Sequence, residues 1–545
     1  MPSYGEWVDV PFPRAVPSPG RSLPQGGPFP REALPGGDPF EGMLCPTDDK
    51  ELTGMTDRPG GAEEFGAGAT DADTFDVVVI GGGPPGENLA ERTQAAGLRT
   101  VLVERELVGG ECSYWACMPS KALLRPPAAL AAARAVPGAR AAVRGGLAAE
   151  EVLASRDSFA SGWRDDSQVE WLRSVQVELV RGQGRLAGPR TVVVTTSDGG
   201  ERRLVARHAV ALCTGSRATL PDLPGMAEAR PWSSREATSA ARVPDRLAVV
   251  GGGVVGVEMA AAWQALGASV TLLARGPGLL PHWEPFVGEL VADGLARAGV
   301  EVRTGASVSE LRRPDESGPV VLEVSGGNAV IADEVLFATG RRAGTENLGL
   351  ETVGLTPGDW LATDDTLLVR GVPGGWLYGA GDVTHRAMLT HQGKYQARVA
   401  AEAIVARARG EAVDDRSWGR HVATADQRAV PQVVFTDPEA ASVGLTLEAA
   451  RAAGLRVREV DYDLGSVAGA ALYAEGYRGR ARAVVDLDRE VLVGATFVGS
   501  GAGELLHAAT IAVTGEVPIS RLWHAVPAFP TMSEIWLRLL ETYRG

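Results

Sequence analysis

Cysteine is scarce in this 545-residue chain, which has only Cys45, Cys112, Cys117 and Cys213. So few thiols cannot form the disulfide framework of small secreted domains, and a chain this long buries ample core without staples. Lysine is scarcer still: of 53 Lys and Arg residues, only positions 50, 121 and 394 are lysine. Arginine is the default cation here, so Lys121 suggests a place that wants a compact ammonium. No apolar run reaches the roughly 20 residues of a membrane span. The first residues lack the basic start and apolar middle of a secretory signal. Asp and Glu number 68, giving a net charge of −15 and a pI near 5.1, which opposes binding to nucleic acid or anionic membrane. His282, His385, His391, His421 and His507 are scattered without metal-ligand spacing, so no metal site is expected. A cytoplasmic enzyme of about three or four domains is the expectation.

What the chain does have begins after residue 73. Residues 1–73 are crowded with Pro, Gly and short acidic runs. They show no sustained apolar periodicity, so they read as a disordered extension. The most informative stretch is Gly109-Gly-Glu-Cys-Ser-Tyr-Trp-Ala-Cys-Met-Pro-Ser-Lys121. On a regular helix, residues five apart lie about 140° around the axis and roughly 7.5 Å along it. That exceeds the reach of a disulfide, so Cys112 and Cys117 can pair only across an irregular turn leading into a helix. A redox pair is the better reading of the two, with Lys121 close by.

Dinucleotide-binding units stand before and after it. Phe75–Ile80 reads as a buried parallel strand. Gly81-Gly-Gly-Pro-Pro-Gly86, a helix through Ala96 and the strand Thr100–Glu104 follow. Gly81, Gly83 and Gly86 permit a tight turn and close approach of a pyrophosphate to the helix N-terminus, and Glu104 is placed to accept from ribose hydroxyls. The pattern recurs as Arg246–Val250, Gly251-Gly-Gly-Val-Val-Gly256, a helix carrying Glu258, and Ser269–Arg275. Here Gly251, Gly253 and Gly256 take the glycine positions. The second strand ends in Arg275 rather than an acid, which favours a 2′-phosphate and hence NADPH, with NADH possible; a solvated surface arginine is the alternative. A disulfide fed by a nicotinamide needs a two-electron mediator, so one dinucleotide should be a flavin.

With these features the chain resembles the class I pyridine nucleotide-disulfide oxidoreductases, the family of dihydrolipoamide dehydrogenase, glutathione reductase and mercuric reductase. Further marks follow in order. Ala211–Ser216, with Thr214 and Gly215, and Leu336–Arg341, with Gly340 and Arg341, resemble the family's two A-T-G turns. Tyr378–Val383, with Gly381 and Asp382, resembles the second FAD fingerprint. Leu389-Thr390-His391 resembles the helix start beneath the flavin ring. The resemblance implies an α/β chain with two Rossmann-like dinucleotide-binding domains and a C-terminal α+β interface domain. FAD would bind 74–228 and 347–420, NAD(P)H would bind 229–346, and 425–545 would form a homodimer. Gly110 and Gly184 join the cofactor-binding set. Electrons from NAD(P)H would pass through FAD to a Cys112–Cys117 disulfide. Cys117 would be the thiolate against the flavin and Cys112 the exposed interchange thiol. Lys121 would lie near the flavin, paired with Glu258, which would also touch the nicotinamide. Cys213 reads as packing.

The sequence departs from the family in two places. Between the cysteines the family has apolar-Asn-x-Gly, where this chain has Ser113-Tyr-Trp-Ala116. The aromatics either wall the substrate path or pack beneath the turn. Disulfide-reducing members end with H-x-H-P-T-x-x-E, whose second histidine is the acid-base group held by the glutamate. This chain has Pro527-Ala-Phe-Pro-Thr-Met-Ser-Glu534, with Phe529 in the base position and Glu534 in place. The expectation is a flavoprotein that passes electrons to a small-molecule acceptor such as a quinone, metal ion or redox metabolite. Disulfide reduction, soluble transhydrogenation (against which Cys117 stands) and a non-enzymatic redox sensor are the alternatives. Histidine at 529, facing Glu534, is expected to raise disulfide turnover.

Overall fold

A computed structural model describes residues 73–315, 318–327 and 329–545. The expected extension up to Ala72, with Cys45 and Lys50, lies outside the described residues.

The first sheet is built on β1 (Thr74–Ile80), β2 (Thr100–Glu104) and the strand Glu178–Arg181, all parallel. On its other side β1 pairs in parallel with Glu201–Leu212. That long strand does two jobs. Its second half carries Leu377–Gly379 in parallel, while its first half forms an antiparallel meander with Thr191–Thr195 and Gln183–Leu186. β1 is apolar on both faces because both are covered. Val77 and Val79 pack with α1 (Pro84–Ala95) and the helix Thr390–Ala408, and Val78 and Ile80 pack with the meander side. This is the period of two expected of a strand.

A second parallel sheet runs Glu301–Thr304, Ser269–Ala274, Arg246–Val250, Glu334–Phe337. Its strand Ser269–Ala274 stops one residue short of Arg275. A three-stranded antiparallel sheet of Val308–Arg312, Val320–Val324 and Val330–Ala332 closes one face, with Leu311 and Leu322 against Ala248 and Leu273. The chain crosses between the two parallel sheets through a two-stranded ribbon, Ser216–Ala218 against Arg341–Ala343. The C-terminal part is a five-stranded antiparallel sheet ordered Gln432–Val434, Ala440–Gly444, Val491–Val498, Arg480–Asp486, Val457–Asp463, covered by helices such as Leu506–Thr514 and Glu534–Arg544. The architecture is the α/β fold expected, with two Rossmann-like units and an α+β C-terminal part. No helix among the described residues is long and apolar enough to cross a membrane.

Candidate active site

The two glycine turns repeat each other in detail. A Cβ on Gly81 would lie 2.4 Å from the Cys213 carbonyl oxygen, and one on Gly251 would lie 2.3 Å from that of Ala338. A Cβ on Gly86 or Gly256 would lie 1.9 Å from the carbonyl oxygen of Gly81 or Gly251. Gly81 (φ 106°) and Gly251 (φ 131°) also need the left-handed region. These positions accept only glycine, and they leave Gly83 and Gly253 as the N-caps of helices Pro84–Ala95 and Val254–Ala265; the second opens with the N–H groups of Val254 and Val255 available to an anion, whereas Pro84 and Pro85 give the first none before Gly86. Gly110 (φ 57°) backs onto the first turn, where a Cβ would meet the Gly83 Cα at 2.8 Å.

Other expected cofactor positions gather around this turn. Glu104, at the end of β2, accepts from the Gly82 amide at 2.6 Å and the Glu106 amide at 2.7 Å, which fixes its buried carboxylate beside the turn. Gly381 meets Pro85 of α1, and its amide donates to Gln396 Oε1 at 2.7 Å. Asp382 Oδ2 accepts from Ser216 Oγ at 2.5 Å, and Arg341 Nε donates to the same Ser216 Oγ at 2.6 Å. The crossing ribbon and the Gly381 loop therefore share one polar cluster, which includes Ser216, a residue the sequence reading passed over. Thr214 Oγ1 is buried without a partner among the described residues. An orphaned hydroxyl beside a glycine cradle is what a dinucleotide would satisfy. The residues present fit FAD. Gly184 lies in Gln183–Leu186, closed off by Val103 and Ile80. Gly215 (φ 68°) and Gly340 (φ 140°) have no atom within 4 Å of a Cβ, so their backbone conformation alone favours glycine. Arg275 is exposed just past its strand. His391 is exposed, its Nε2 2.8 Å from the Pro431 carbonyl oxygen.

The redox pair sits on a broken helix. α2 (Gly110–Tyr114) carries Cys112. Trp115 and Ala116 leave helical geometry, and α3 (Cys117–Ala135) starts at Cys117 itself. The break supplies the irregular turn that the spacing requires. Both cysteines are free thiols in this structure. The neighbouring Cys112 thiol pulls Cys117 down to about 6, helped against burial by the Thr390 hydroxyl and Lys121. The Cys117 sulfur, with burial, pushes Cys112 up. The opposite directions of the two shifts favour the proton of a reduced pair on Cys112 and the charge on Cys117. Burial pushes Cys213 up to about 12, an inert thiol.

Lys121, one turn along α3, donates to Glu258 Oε2 at 2.8 Å. The other oxygen of Glu258 accepts from the Phe435 amide at 3.0 Å, and the Phe435 ring lies 5.0 Å from Lys121 Nζ. Glu258 is 3% exposed while the Lys121 side chain is 36% exposed, so a buried carboxylate meets a half-exposed ammonium and is held by both its partners. Phe435 acts here through its backbone, a contact with no side-chain signal in sequence.

The aromatics between the cysteines divide their roles. Tyr114 is fully buried and donates to the Val108 carbonyl at 2.9 Å, so it packs beneath the turn. Trp115 is half-buried with the Arg235 guanidinium 4.0 Å over its ring. Arg235 also donates to Glu111 Oε1 at 2.5 Å and to Glu106 Oε1 at 2.9 Å, and Thr238 Oγ1 donates to the Trp115 carbonyl at 2.9 Å. The helix Ser234–Ser239 thus buttresses the Cys112 turn, with Thr238 lying 123 residues from Trp115 in sequence.

The C-terminal motif differs from expectation in one respect. Phe529 is 75% exposed and free to face outward. Glu534, however, is not waiting for a histidine: Oε1 accepts from Arg538 Nη2 at 2.6 Å and Nε at 3.1 Å, and Oε2 accepts from the Ala468 amide at 3.1 Å. The i,i+4 geometry of a helix beginning at Glu534 brings Arg538 onto it. A histidine at 529 would have to share that carboxylate with Arg538 and the Ala468 amide.

The family profile described as pyridine nucleotide-disulphide oxidoreductase matches residues 75–401. The chain belongs to that family. The profile of the family's dimerisation domain matches residues 430–539. The dihydrolipoyl dehydrogenase of Thermus scotoductus is 33% identical over 474 residues, covering 85% of this chain and 95% of that protein. The mercuric reductase of Staphylococcus aureus is 29% identical over 470 residues, covering 84% of this chain and 81% of that protein. Among solved structures, the HOCl-induced flavoprotein disulfide reductase RclA from Escherichia coli aligns with a TM-score of 0.71 at 22% identity, over 86% of this chain and 99% of that one. LpdA from Mycobacterium tuberculosis aligns at 0.72 and 24%, over 85% and 99%. These two likenesses establish fold. As a class I pyridine nucleotide-disulfide oxidoreductase the protein is an enzyme of a family that uses FAD and NAD(P)H.

Proposed function

We propose that this oxidoreductase holds FAD in 74–228 and 347–420 and NAD(P)H in 229–346. It passes electrons through Cys112 and Cys117 to a quinone, a metal ion or a small redox metabolite rather than to a standard disulfide. One observation carries the choice of acceptor: Phe529 cannot carry a proton, and both oxygens of Glu534 are already bonded within its own chain. An acceptor that takes electrons without a positioned acid-base group suits such a site. Bound FAD supplies two-electron exchange between a nicotinamide and a sulfur pair. The chain's own residues do the rest. The Gly81–Gly86 turn, Thr214 and Asp382 hold the dinucleotide. Lys121 keeps a fixed positive charge near the cysteines, oriented by Glu258. The Trp115–Arg235 stack holds the Cys112 turn. The reading includes a homodimer formed through 425–545 and work in the cytoplasm.

Steady-state NADH and NADPH oxidation against quinones, metal ions, small metabolites and disulfides tests it. A standard disulfide as the best acceptor would overturn the proposal in favour of the second reading, disulfide reduction. That reading has in its support the intact cysteine pair and the relatives named dihydrolipoyl dehydrogenase.

Two further outcomes are expected. The purified protein retains a yellow flavin. A folded but colourless preparation that FAD does not reconstitute would remove the site. NADPH is modestly preferred, and Arg275→Ala shifts preference toward NADH by removing a charge-assisted contact of about 1.5–3 kcal/mol. An unchanged ratio of the two kcat/KM values would take Arg275 out of the nucleotide site.

A further inference from the structure

We propose that Thr390 is a catalytic residue of the sulfur centre, its hydroxyl donating to Cys117 Sγ and holding that sulfur as the thiolate. This rests on the reading of Cys117 as the charged member of the pair, and it moves Thr390 from a cofactor contact to a sulfur contact.

The geometry is direct. Thr390 Oγ1 lies 3.2 Å from Cys117 Sγ, across 273 residues of sequence. That distance is a hydrogen bond to sulfur, and a hydroxyl facing a thiolate can only be the donor. The hydroxyl is not spent on capping its own helix, whose N-cap is Leu389. Thr390 is the first helical residue, and its side chain leaves the helix end toward α3, which itself begins at Cys117. The sulfur therefore sits at the N-terminus of its own 19-residue helix and receives a donor from the first residue of another.

The chemistry gives that donor a task. When two electrons enter the disulfide the S–S bond breaks, leaving two sulfurs with two negative charges. One proton from solvent goes to Cys112 Sγ, and Cys117 Sγ keeps its charge. The electrons come from NAD(P)H, the reductant of the family. A partly buried thiolate is costly unless hydrogen-bonded. Thr390 supplies a bond that requires no proton transfer and is absent from the neutral thiol's needs, so it favours the charged form. The other groups facing the pair are Cys112 from α2, Lys121 from α3, Glu258 from the helix Val254–Ala265 and Lys394 one turn along from Thr390. Lys121 acts through space and is already bonded to Glu258, and the field of Lys394 reaches Cys112. Beside the partner thiol itself, Thr390 is the neutral donor in hydrogen-bond contact with Cys117.

The test uses the FAD-bound protein carrying one two-electron equivalent of dithionite. The long-wavelength thiolate-to-flavin absorbance is followed against pH in wild type, Thr390→Val and Thr390→Ser. The wild-type band should vanish as pH falls through about 6. Valine matches threonine in shape without the donor, and it should move the midpoint up by about one pH unit, a tenfold loss of thiolate at fixed pH below the midpoint. Serine should restore the wild-type midpoint. Should the valine protein lose flavin, Thr390→Ala read the same way takes its place. Coincident midpoints in wild type and the valine or alanine protein, or a raised midpoint that serine leaves uncorrected, would overturn the role of the hydroxyl. A wild-type protein with no such band at any pH would instead overturn the reading of Cys117, so the two failures are distinguishable.

Discussion

Wild-type protein is expected to turn over glutathione disulfide and lipoamide about 10²–10⁴-fold more slowly than enzymes with a positioned acid-base group. Its flavin should still be reduced rapidly by NAD(P)H in stopped-flow mixing. The two halves separate because Lys121, Glu258 and the cysteines are intact, while Phe529 has no titratable atom. Phe529→His alone is expected to recover little. Arg538 already donates to Glu534 Oε1 with two nitrogens, and the Ala468 amide holds Oε2. An imidazole placed nearby would have to share a carboxylate whose charge Arg538 already offsets, so its charged form would be stabilised less. Phe529→His combined with Arg538→Leu frees Oε1, and this pair is expected to raise kcat for disulfides at least about tenfold over either single variant. Flavin reduction should stay unchanged. Wild-type disulfide turnover at a rate typical of the family would mean that another residue serves as the base. A full rescue by Phe529→His alone would mean that the Arg538 contact yields to histidine.

The second large effect concerns the sulfur pair. Anaerobic titration of the flavin-bound enzyme with dithionite is expected to consume about four electrons per subunit, two in the flavin and two in the disulfide. Cys117→Ser should consume about two and lose the long-wavelength thiolate band altogether, because serine can neither bond to Cys112 nor ionise in this range. Uptake of only two electrons by untreated wild type would show that Cys112 and Cys117 do not cycle.

Much of this molecule could be read without coordinates, and the reasons are local. The two βαβ units announce themselves through contiguous apolar strands and through glycines whose absent Cβ is required by carbonyl oxygens 1.9–2.4 Å away. Sterics of this kind act over a handful of residues, so they are written in consecutive letters. The break between α2 and α3 was legible for the same reason, since five-residue spacing on an unbroken helix cannot bring two sulfurs together. The pairing of Lys121 with Glu258 and the place of Cys213 came from family resemblance, and the tertiary structure has Lys121 bonded to Glu258 and Cys213 buried.

What the sequence by itself determined, then, is the pair of dinucleotide folds and the spacing of the cysteine pair, while the place of Phe529 in the acid-base register came from family resemblance. Only the tertiary structure decided which groups surround the sulfurs. Thr390 reaches Cys117 across 273 residues, and the Phe435 amide reaches Glu258 across 177. Arg235 closes on both Glu111 and Trp115, and it lies 124 residues from Glu111 in sequence. Such contacts depend on strand order and on the angle at which helices leave a sheet, quantities to which every core residue contributes a little and no short motif contributes much. Glu534 shows the same limit at close range. Its partner Arg538 is only four residues away, but whether a helical carboxylate turns to that arginine or to an acid-base histidine depends on the Ala468 amide, 66 residues upstream, that holds its other oxygen.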